Sequence, residues 1–412
     1  PYALASKNLL RVPHVYGVKN PVGAYVTFFT LDKITDNVFI NFGGINSAAE
    51  VYVNGIFVGY SEDTFSPQEY DITKYVHEGE NKLAVTVYRY CTGSYLEDQD
   101  MWRLAGIFRD VTLIFKPKVE ISDYFLRSKL VDDYKNAIFK GSIEVLTNGG
   151  MLKDGIVKFY LKDKEGSVVY SEDTDIETVT EDQKIFVELN KKLENVRLWS
   201  HEDPYLYTAV VELFDGDRLI DTRSNKFGFR SIEIQKMDGD KGPFILLNGK
   251  QIKFCGVNRH EFHPDCGHAV TREMIIKDLE ICLKNNITAI RTSHYPNCKA
   301  FYELCDEYGI LVMSETNLET HGLAFMIPRN NPKWGANCVY RVKNMVHTFK
   351  NHACIISWSL GNESGFGSVF KKMREAVLGI DDTRFIHYEP DTSGKVSDVL
   401  SEMYSKLEKM PL

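Results

Sequence analysis

Polar side chains suited to acid–base or metal chemistry follow four consecutive predicted strands in the second half of the chain. His260 follows the first strand and His294 the second, while Glu319 and His321 follow the third and Glu363 the fourth. A carboxyl group in a dry site can have a raised pKa and act as an acid, and an imidazole can stabilise charge or ligate a metal ion. Packing alone does not explain this recurrence, so we predict a reaction centre where these strands end.

Glu363 occupies the most informative of these positions. It follows an apolar strand and Asn362, and Gly361, Gly365 and Gly367 surround it. Glycines let the backbone and a ligand approach closely, so this carboxyl group is a candidate general acid. From these residues alone, an exposed glutamate in a glycine-rich loop is an open alternative.

A second pair of residues has the chemistry of a metal site. Glu319 and His321 alternate in a predicted extended loop, so a carboxylate and an imidazole can converge on one cation. Mg²⁺ prefers oxygen ligands and keeps several waters, which suits a sparse site. Taken alone, His321 is better explained as a structural histidine, and the Glu-Thr-His spacing within its motif reverses that preference. His260 and His263 do not form the zinc motif HExxH, and His263 is expected to point elsewhere.

Alternating strands and helices after about residue 232 are predicted to position these side chains. Strands are predicted at 251–257, 287–292, 310–313, 354–359 and 384–388, and helices at 271–285, 299–308, 337–350 and 369–377. Gly309 is expected to end the second helix. Repeated β/α units without a glycine-rich phosphate loop favour a (β/α)₈ TIM barrel, in which active sites lie at the carboxyl ends of the strands. Only about five or six strands fit before Leu412, so residues 233–412 are predicted to form the first half of a barrel.

Two β-rich regions precede the barrel, so the predicted fold class is multidomain, β plus α/β. Residues 1–117 contain short β-branched and aromatic runs, with Asn54-Gly55 as a hairpin turn, and predict a jelly-roll β-sandwich. Residues 118–232 contain further strands between Gly- and Asp-rich turns and predict a seven-stranded immunoglobulin-like β-sandwich. No cysteine lies in this second region, so no internal disulfide is expected.

The composition argues against several functional classes. The chain has 412 residues and a formal net charge of −8, unlike a nucleic-acid-binding protein with its basic face. No apolar run approaches the roughly 20 residues of a membrane span. The eight cysteines form no C-x-x-C pair, which argues against a zinc knuckle or a disulfide framework. Buried free thiols are therefore expected, and they favour a cytoplasmic protein.

Several motifs carry a family resemblance. The string WSLGNESGFG at 358–367 resembles the acid/base signature of glycoside hydrolase family 2. GVNRHEFHP at 256–264, RTSHYPN at 291–297 and ETNLETHG at 315–322 are similar to other barrel motifs of that family. SYLEDQDMWRLAGIFRDV at 94–111 resembles the large bacterial-type β-galactosidase branch. The resemblance covers nearly the whole chain and implies hydrolysis of terminal β-D-galactose residues in lactose-type substrates, with retention of configuration.

The resemblance implies catalytic and metal-binding roles. Glu363 would be the general acid/base, and His260 and His294 would contact the galactosyl ring and stabilise the transition state. Glu319, His321 and Glu363 would together hold a Mg²⁺ ion.

The resemblance also implies substrate contacts. Asp100 of the sugar-binding jelly roll would contact the sugar and help to hold a Na⁺ ion, and Asn362 would hydrogen-bond the 2-hydroxyl. Met403 and Tyr404 match a pair of residues near the site. Without the motif, Asp100 is simply part of an acidic turn, and Tyr404 is equally consistent with packing.

A retaining glycosidase needs a second carboxyl group about 5–5.5 Å from the acid/base. In the family this nucleophile comes from a later barrel strand, and Glu389 matches no nucleophile motif. We therefore expect the chain to be the front part of a longer, homo-oligomeric enzyme and to be inactive alone.

Two other functions stay open from the sequence. A β-glucuronidase of the same family would favour basic and amide groups for the carboxylate at C6, whereas EDQDMWR at 97–103 offers Asp100, which suits a hydroxyl and a metal ion. The second alternative is a non-catalytic carbohydrate-binding or assembly chain of a split enzyme.

Overall fold

The structure is a computed structural model, and it describes residues 12–15, 20–180, 182–236 and 243–404. Strands are numbered β1–β24 and α-helices α1–α4 in chain order. Short 3-10 helices lie at Thr73–Tyr75, Gly93–Tyr95 and His321–Leu323.

The first domain is an antiparallel β-sandwich, as predicted. Its strands are β1 Val22–Leu31, β2 Asn37–Phe42, β3 Ile45–Asn46, β4 Ala48–Val53, β5 Ile56–Ser61, β6 Gln68–Asp71, β7 Gly79–Tyr88, β8 Gly106–Ile107 and β9 Val111–Lys116. They form sheets with the orders β1-β7-β4-β5 and β6-β2-β9 and a short β3-β8 pair. Val38, Val51 and Val85 from both larger sheets share one core. The predicted hairpin is confirmed, since Asn54 and Gly55 have φ of 51° and 83° between β4 and β5.

The second domain has the predicted immunoglobulin-like organisation. Its strands are β10 Val119–Val131, β11 Asn136–Thr147, β12 Gly155–Lys162, β13 Val168–Ile176, β14 Lys184–Leu193, β15 Tyr207–Asp215 and β16 Arg218–Phe227. They form a three-stranded sheet, β10-β11-β14, and a four-stranded sheet, β13-β12-β15-β16. Burial alternates along β12, as expected for a strand with one face in the core. Phe139, Phe159 and Phe229 build an aromatic centre between the sheets.

A small antiparallel sheet precedes the barrel and corrects one predicted element. It contains β17 Ile232–Gln235, β18 Phe244–Leu247 and β19 Lys250–Ile252, whereas the first parallel strand is β20 Gly256–Arg259. The single strand predicted at 251–257 is therefore wrong. Asn248 and Gly249 have φ of 51° and 75° and turn the chain into the β18–β19 hairpin. The first parallel strand begins at Gly256 beside Ala289. A Cβ at Gly256 would lie 2.8 Å from the Ala289 carbonyl oxygen.

Five parallel strands form the described part of the barrel, in the order β20-β21-β22-β23-β24. The further strands are β21 Ala289–Thr292, β22 Leu311–Glu315, β23 Ile355–Ser359 and β24 Phe385–His387. The helices are α1 Arg272–Lys284, α2 Lys299–Tyr308, α3 Pro332–Phe349 and α4 Ser368–Leu378. Gly309 ends α2 with φ of 74°, as predicted. Helix α3 begins earlier than the predicted residue 337, because the Asn331 side chain caps it and Pro332 occupies its first turn.

The parallel register brings the carboxyl ends of the strands to one end of the sheet. Arg259 is level with Thr292, and Ser359 is level with both Glu315 and His387. Side chains that follow these residues are therefore brought towards one mouth of the barrel.

All eight cysteines are free thiols. Cys91, Cys305, Cys338 and Cys354 are buried, but Cys255 and Cys266 are exposed, so the expectation of buried thiols holds only in part. Across the described residues, no helix combines the length and the apolar character that a membrane crossing requires.

Candidate active site

Three of the predicted residues converge at the mouth of the partial barrel. Nδ1 of His321 lies 3.5 Å from Oε1 of Glu319 and 3.5 Å from Oε2 of Glu363. One ligand atom from each residue lies within 4.8 Å of the others. The Glu319 side chain is buried, the Glu363 side chain is 26% exposed and that of His321 is 51% exposed. The cluster is therefore anchored on one side and open to a ligand on the other.

The local backbone turns each of these groups towards the others. Glu363 follows β23 with φ of 35°, and its N–H donates to the Glu389 carbonyl at 3.0 Å. His321 begins a short 3-10 helix and has φ of 31°. Gly361 has φ of 137°, and a Cβ there would lie 2.7 Å from the Leu318 carbonyl oxygen, so the two loops pack at the distance that glycine permits.

The donor set of this cluster fits a hard divalent cation. Burial raises the pKa of Glu319, and the negative charges of Glu363 and Glu315 act in the same direction, against the effects of His294 and Asn362. A cation between the carboxylates would offset that repulsion. Two carboxylates and one imidazole leave positions for water, which agrees with the coordination habits of Mg²⁺.

Glu315 forms a second, fully buried centre beside the cluster. Its carboxylate accepts from Arg291 Nε at 2.7 Å, from Ser359 Oγ at 2.6 Å and from His294 Nδ1 at 2.7 Å. Burial raises the pKa of Glu315, but Arg291 and His294 outweigh that effect and lower it to about 2. Glu315 is therefore ionised at neutral pH and orients His294, rather than donating a proton.

Arg291 and Asn362 connect these two centres. Arg291 Nη2 donates to Oδ1 of Asn362 at 3.0 Å, and Nδ2 of Asn362 donates to Oε2 of Glu319 at 3.0 Å. These two hydrogen bonds fix the orientation of the Asn362 amide, with its oxygen towards Arg291 and its nitrogen towards Glu319. Asn362 thus has a defined orientation beside the acid/base candidate.

His260 lies next to His294 and is neutral at neutral pH. Burial is the largest cause that lowers its pKa, to about 4, and His294, whose ring centroid lies 5.6 Å away, adds to the effect. The negative charge of Asp100 acts on His260 in the opposite direction. Asp100 is an exposed residue of the first domain, and its approach to the site stays a prediction. Trp102, two residues after Asp100, contacts Phe262 edge-on, with ring centroids 4.4 Å apart.

The final predicted pair of residues lies at the open side of the sheet. Met403 lines a cavity of about 510 Å³ together with Asn258, Arg291 and Glu389. Tyr404 is 93% exposed, so the described structure gives it no buried place in the site. Its role stays a prediction.

Sequence reasoning gave no roles to Glu315 and Arg291, although both lie in motifs that it singled out. His387 was also missed, although it ends the fifth strand and bonds Ser359 Oγ at 2.9 Å. The usable signal was position, because all three residues lie at or near the carboxyl ends of strands.

Comparison with protein families matches nearly all of the chain. The sugar binding domain of glycosyl hydrolases family 2 matches residues 10–117, the central family 2 domain matches 119–230 and the TIM barrel domain matches 240–411.

Curated relatives are β-galactosidases. That of Streptococcus thermophilus is 42% identical over 98% of this chain and 40% of its own length. The β-galactosidase large subunit of Lactobacillus helveticus is 39% identical over 96% of this chain and 63% of its own length. The chain thus spans about two fifths to two thirds of these relatives.

Solved structures share the fold at lower identity. A β-glucuronidase from Bifidobacterium dentium has a TM-score of 0.77 at 24% identity, covering 89% of this chain and 65% of its own. A putative β-galactosidase from Bacteroides fragilis also has a TM-score of 0.77, at 22% identity, covering 89% and 55%. With its three domains matched in order to the three domain models, the chain belongs to glycoside hydrolase family 2.

Proposed function

We propose that the intact protein hydrolyses terminal β-D-galactosides with retention, with Glu363 as its general acid/base. The observation that carries the proposal is the convergence of Glu363 with Glu319 and His321 at the barrel mouth. Identity of 38–42% to β-galactosidases over 92–98% of the chain favours a galactoside over other glycosides.

The surrounding side chains have complementary tasks in this reaction. Glu363 gives a proton to the departing glycosidic oxygen and later removes one from water. Neutral His260 and the Glu315-oriented His294 hydrogen-bond the sugar ring as charge develops on it. Asn362 bonds the 2-hydroxyl.

The metal assignment belongs to the same proposal. Glu319, His321 and Glu363 would hold Mg²⁺, which when bound would supply positive charge beside the acid/base carboxyl group. Asp100 contacts the sugar and contributes to a Na⁺ site, where acidic oxygen is the suitable ligand type. Met403 and Tyr404 complete the rim of the site.

The proposed enzyme extends beyond this chain. Its nucleophile comes from another part of the barrel, about 5–5.5 Å from Glu363. The intact enzyme is a homo-oligomer that works in the cytoplasm, where free thiols such as the exposed Cys255 and Cys266 remain reduced.

Substrate choice tests the proposal. The intact enzyme is expected to hydrolyse p-nitrophenyl β-D-galactoside far faster than the matched β-D-glucuronide, and nuclear magnetic resonance should show β-galactose as the first product. Faster turnover of the glucuronide would identify a β-glucuronidase instead. Carbohydrate binding without turnover of either compound would favour the non-catalytic chain.

A further inference from the structure

A buried polar cluster joins the first domain to the barrel behind the candidate active site. Fully buried Arg341 of α3 donates through Nη1 to Oε1 of Glu97 at 2.6 Å. Nδ2 of Asn317 donates to the same oxygen at 2.8 Å and to Oδ1 of Asp63 at 2.8 Å. The backbone N–H of Thr64 also donates to Oε1 of Glu97, at 3.1 Å. The Glu97 carboxylate is therefore held by groups from both domains.

Stability alone is a poor explanation for this cluster. Glu97 and Asp63 share one guanidinium, and burial raises the pKa of Glu97 against the lowering effect of Arg341. Oδ2 of Asp63 is buried without a hydrogen-bond partner among the described residues. Apolar packing of equal volume is often as stable as a buried ion pair, whereas a buried pair can specify one arrangement of the chain.

The backbone next to Glu97 connects directly to the proposed metal site. The N–H of Glu319 donates to the Leu96 carbonyl at 2.8 Å, and the N–H of Asp98 donates to the Glu319 carbonyl at 2.8 Å. Glu97 and Glu319 are thus bridged in parallel, and Glu319 is bridged in parallel to Asn362. We call this arrangement of residues 97, 319 and 362 the three-segment ladder.

Each segment of the ladder carries a group of the proposed active site. Asp100 follows Glu97 by three positions, His321 follows Glu319 by two, and Glu363 directly follows Asn362. A shift of the Glu97 segment would therefore change the placement of the metal ligand Glu319 and of the sugar-contacting Asp100 together.

The side chains of residues 97–99 are all buried, and those of Glu97 and Gln99 contact the cluster. Glu97 and Gln99 are buried on the inner side, where Nε2 of Gln99 donates to Oδ1 of Asn317 at 2.8 Å. Asp98 instead pairs with Arg103 at 2.5 Å, and Asp100 is exposed. The chain turns at Asp100, where the N–H of Met101 donates to the Gln99 carbonyl at 2.9 Å, so the anchoring of Glu97 and Gln99 fixes where this turn begins.

We propose that Glu97 is a positioning residue of the galactosidase reaction. Arg341 and Asn317 hold its carboxylate, and Glu97 in turn fixes the three-segment ladder. The ladder sets the positions of Asp100, Glu319 and Glu363 relative to one another. The inference rests on the proposed function. It makes the first domain a part of the machinery that builds the metal site, in addition to its contact with sugar.

Glu97→Gln and Glu97→Asp in the intact enzyme test this inference. Gln removes the charge, and Asp keeps the charge but shortens the reach to Arg341. Both should raise the Mg²⁺ concentration for half-maximal activity by about tenfold and lower kcat by about tenfold, with a smaller change in KM, as expected when an outer support of a metal ligand is lost.

The matched control is Asp381→Asn. Asp381 is also fully buried and pairs with Arg384 at 2.5 Å, but it lies before β24, at the opposite end of the barrel from the site. It should lower the melting temperature without changing the Mg²⁺ requirement or kcat of the folded enzyme by more than about twofold, because only stability depends on it.

Two results would overturn the inference, and two further measurements distinguish its failure from misfolding and from failure of the proposed function. Glu97 variants with unchanged Mg²⁺ requirement and kcat would overturn the inference, as would an equal Mg²⁺ shift in Asp381→Asn. If Glu97→Gln does not fold, the charge-retaining Glu97→Asp decides. If the wild-type enzyme cleaves no galactoside, the proposed function fails, and calorimetric Mg²⁺ binding to wild type and Glu97→Asp still decides whether Glu97 positions the metal site.

Discussion

At the scale of single residues, the Glu363 carboxyl group lies beside Glu319 and His321, and under the proposed function it would also act on the glycosidic oxygen. Glu363→Gln should slow an alkyl β-galactoside by about a hundredfold or more, the usual contribution of a general acid. An aryl galactoside should be affected much less, because its leaving group departs without a strong acid. The amide should also weaken Mg²⁺ binding. Steady-state rates for both substrates over a series of Mg²⁺ concentrations provide the measurement, and equal losses at every concentration would exclude Glu363 as the acid/base.

The buried histidine His387 predicts a contribution to acid sensitivity. Burial lowers its pKa to about 4, so between about pH 6.5 and 4 the unfolded chain binds a proton there that the folded chain does not. Folding stability should therefore fall as the pH decreases through this window. His387→Gln keeps a polar group but does not titrate, so it should make the loss of stability between pH 6.5 and 4 less steep. Melting temperatures at pH 7, 5.5 and 4.5 test this, and an unchanged slope would contradict it.

At the scale of secondary-structure elements, Gly309 shows how a single residue defines a helix end. Its φ is 74°, and a Cβ would lie 2.7 Å from the His201 carbonyl oxygen. Gly309→Ala should cost about 2–4 kcal/mol, from left-handed strain and the clash together. Gly394→Ala is the matched control in the same domain, with φ of 62° and, among the described residues, no heavy atom closer than 3.8 Å to its Cβ position. It should cost only about 1 kcal/mol, from strain. Equal losses in urea unfolding would show that the His201 contact carries no energy.

The elements that the sequence predicted well are those with local end signals. Helix α2 ends at Gly309 as expected, and Thr271 caps α1 by accepting from the Met274 N–H. Errors arose where two elements run together without a break in hydrophobicity. The run around residues 251–257 reads as one strand, and only the Asn248-Gly249 turn before it indicates that its first part belongs to another sheet.

At the scale of the whole molecule, position after the strand ends predicted that Glu319, His321 and Glu363 lie close together. Parallel strands bring their carboxyl ends together whatever their separation in sequence. It could not predict the pair of Glu97 and Arg341, which are 244 positions apart and belong to different domains. Such contacts depend on how two domains pack, and no local pattern in one sequence encodes that packing. The bonds that Arg291 forms with Glu315 and Asn362 lie within the barrel, and they were missed because the sequence pattern does not show how side chains from neighbouring strands orient towards one another.

The open side of the parallel sheet leads to the last prediction, which concerns the 412-residue chain expressed alone. Phe254 and Val257 are 40% and 39% exposed beside the partly apolar cavity of about 510 Å³. Exposed strand edges and apolar surface promote association. The chain should therefore self-associate in size-exclusion chromatography, whereas residues 20–232, with their two separate cores, should be monodisperse.

Under the proposed function, in which the nucleophile comes from another part of the barrel, the same chain should show no turnover of an aryl galactoside, because the acid/base alone cannot form the glycosyl-enzyme intermediate. Intact enzyme assayed under the same Mg²⁺ concentration is the positive control. A monodisperse 412-residue chain whose turnover disappears in Glu363→Ala would contradict both expectations, since it would place the nucleophile among the carboxylates already present.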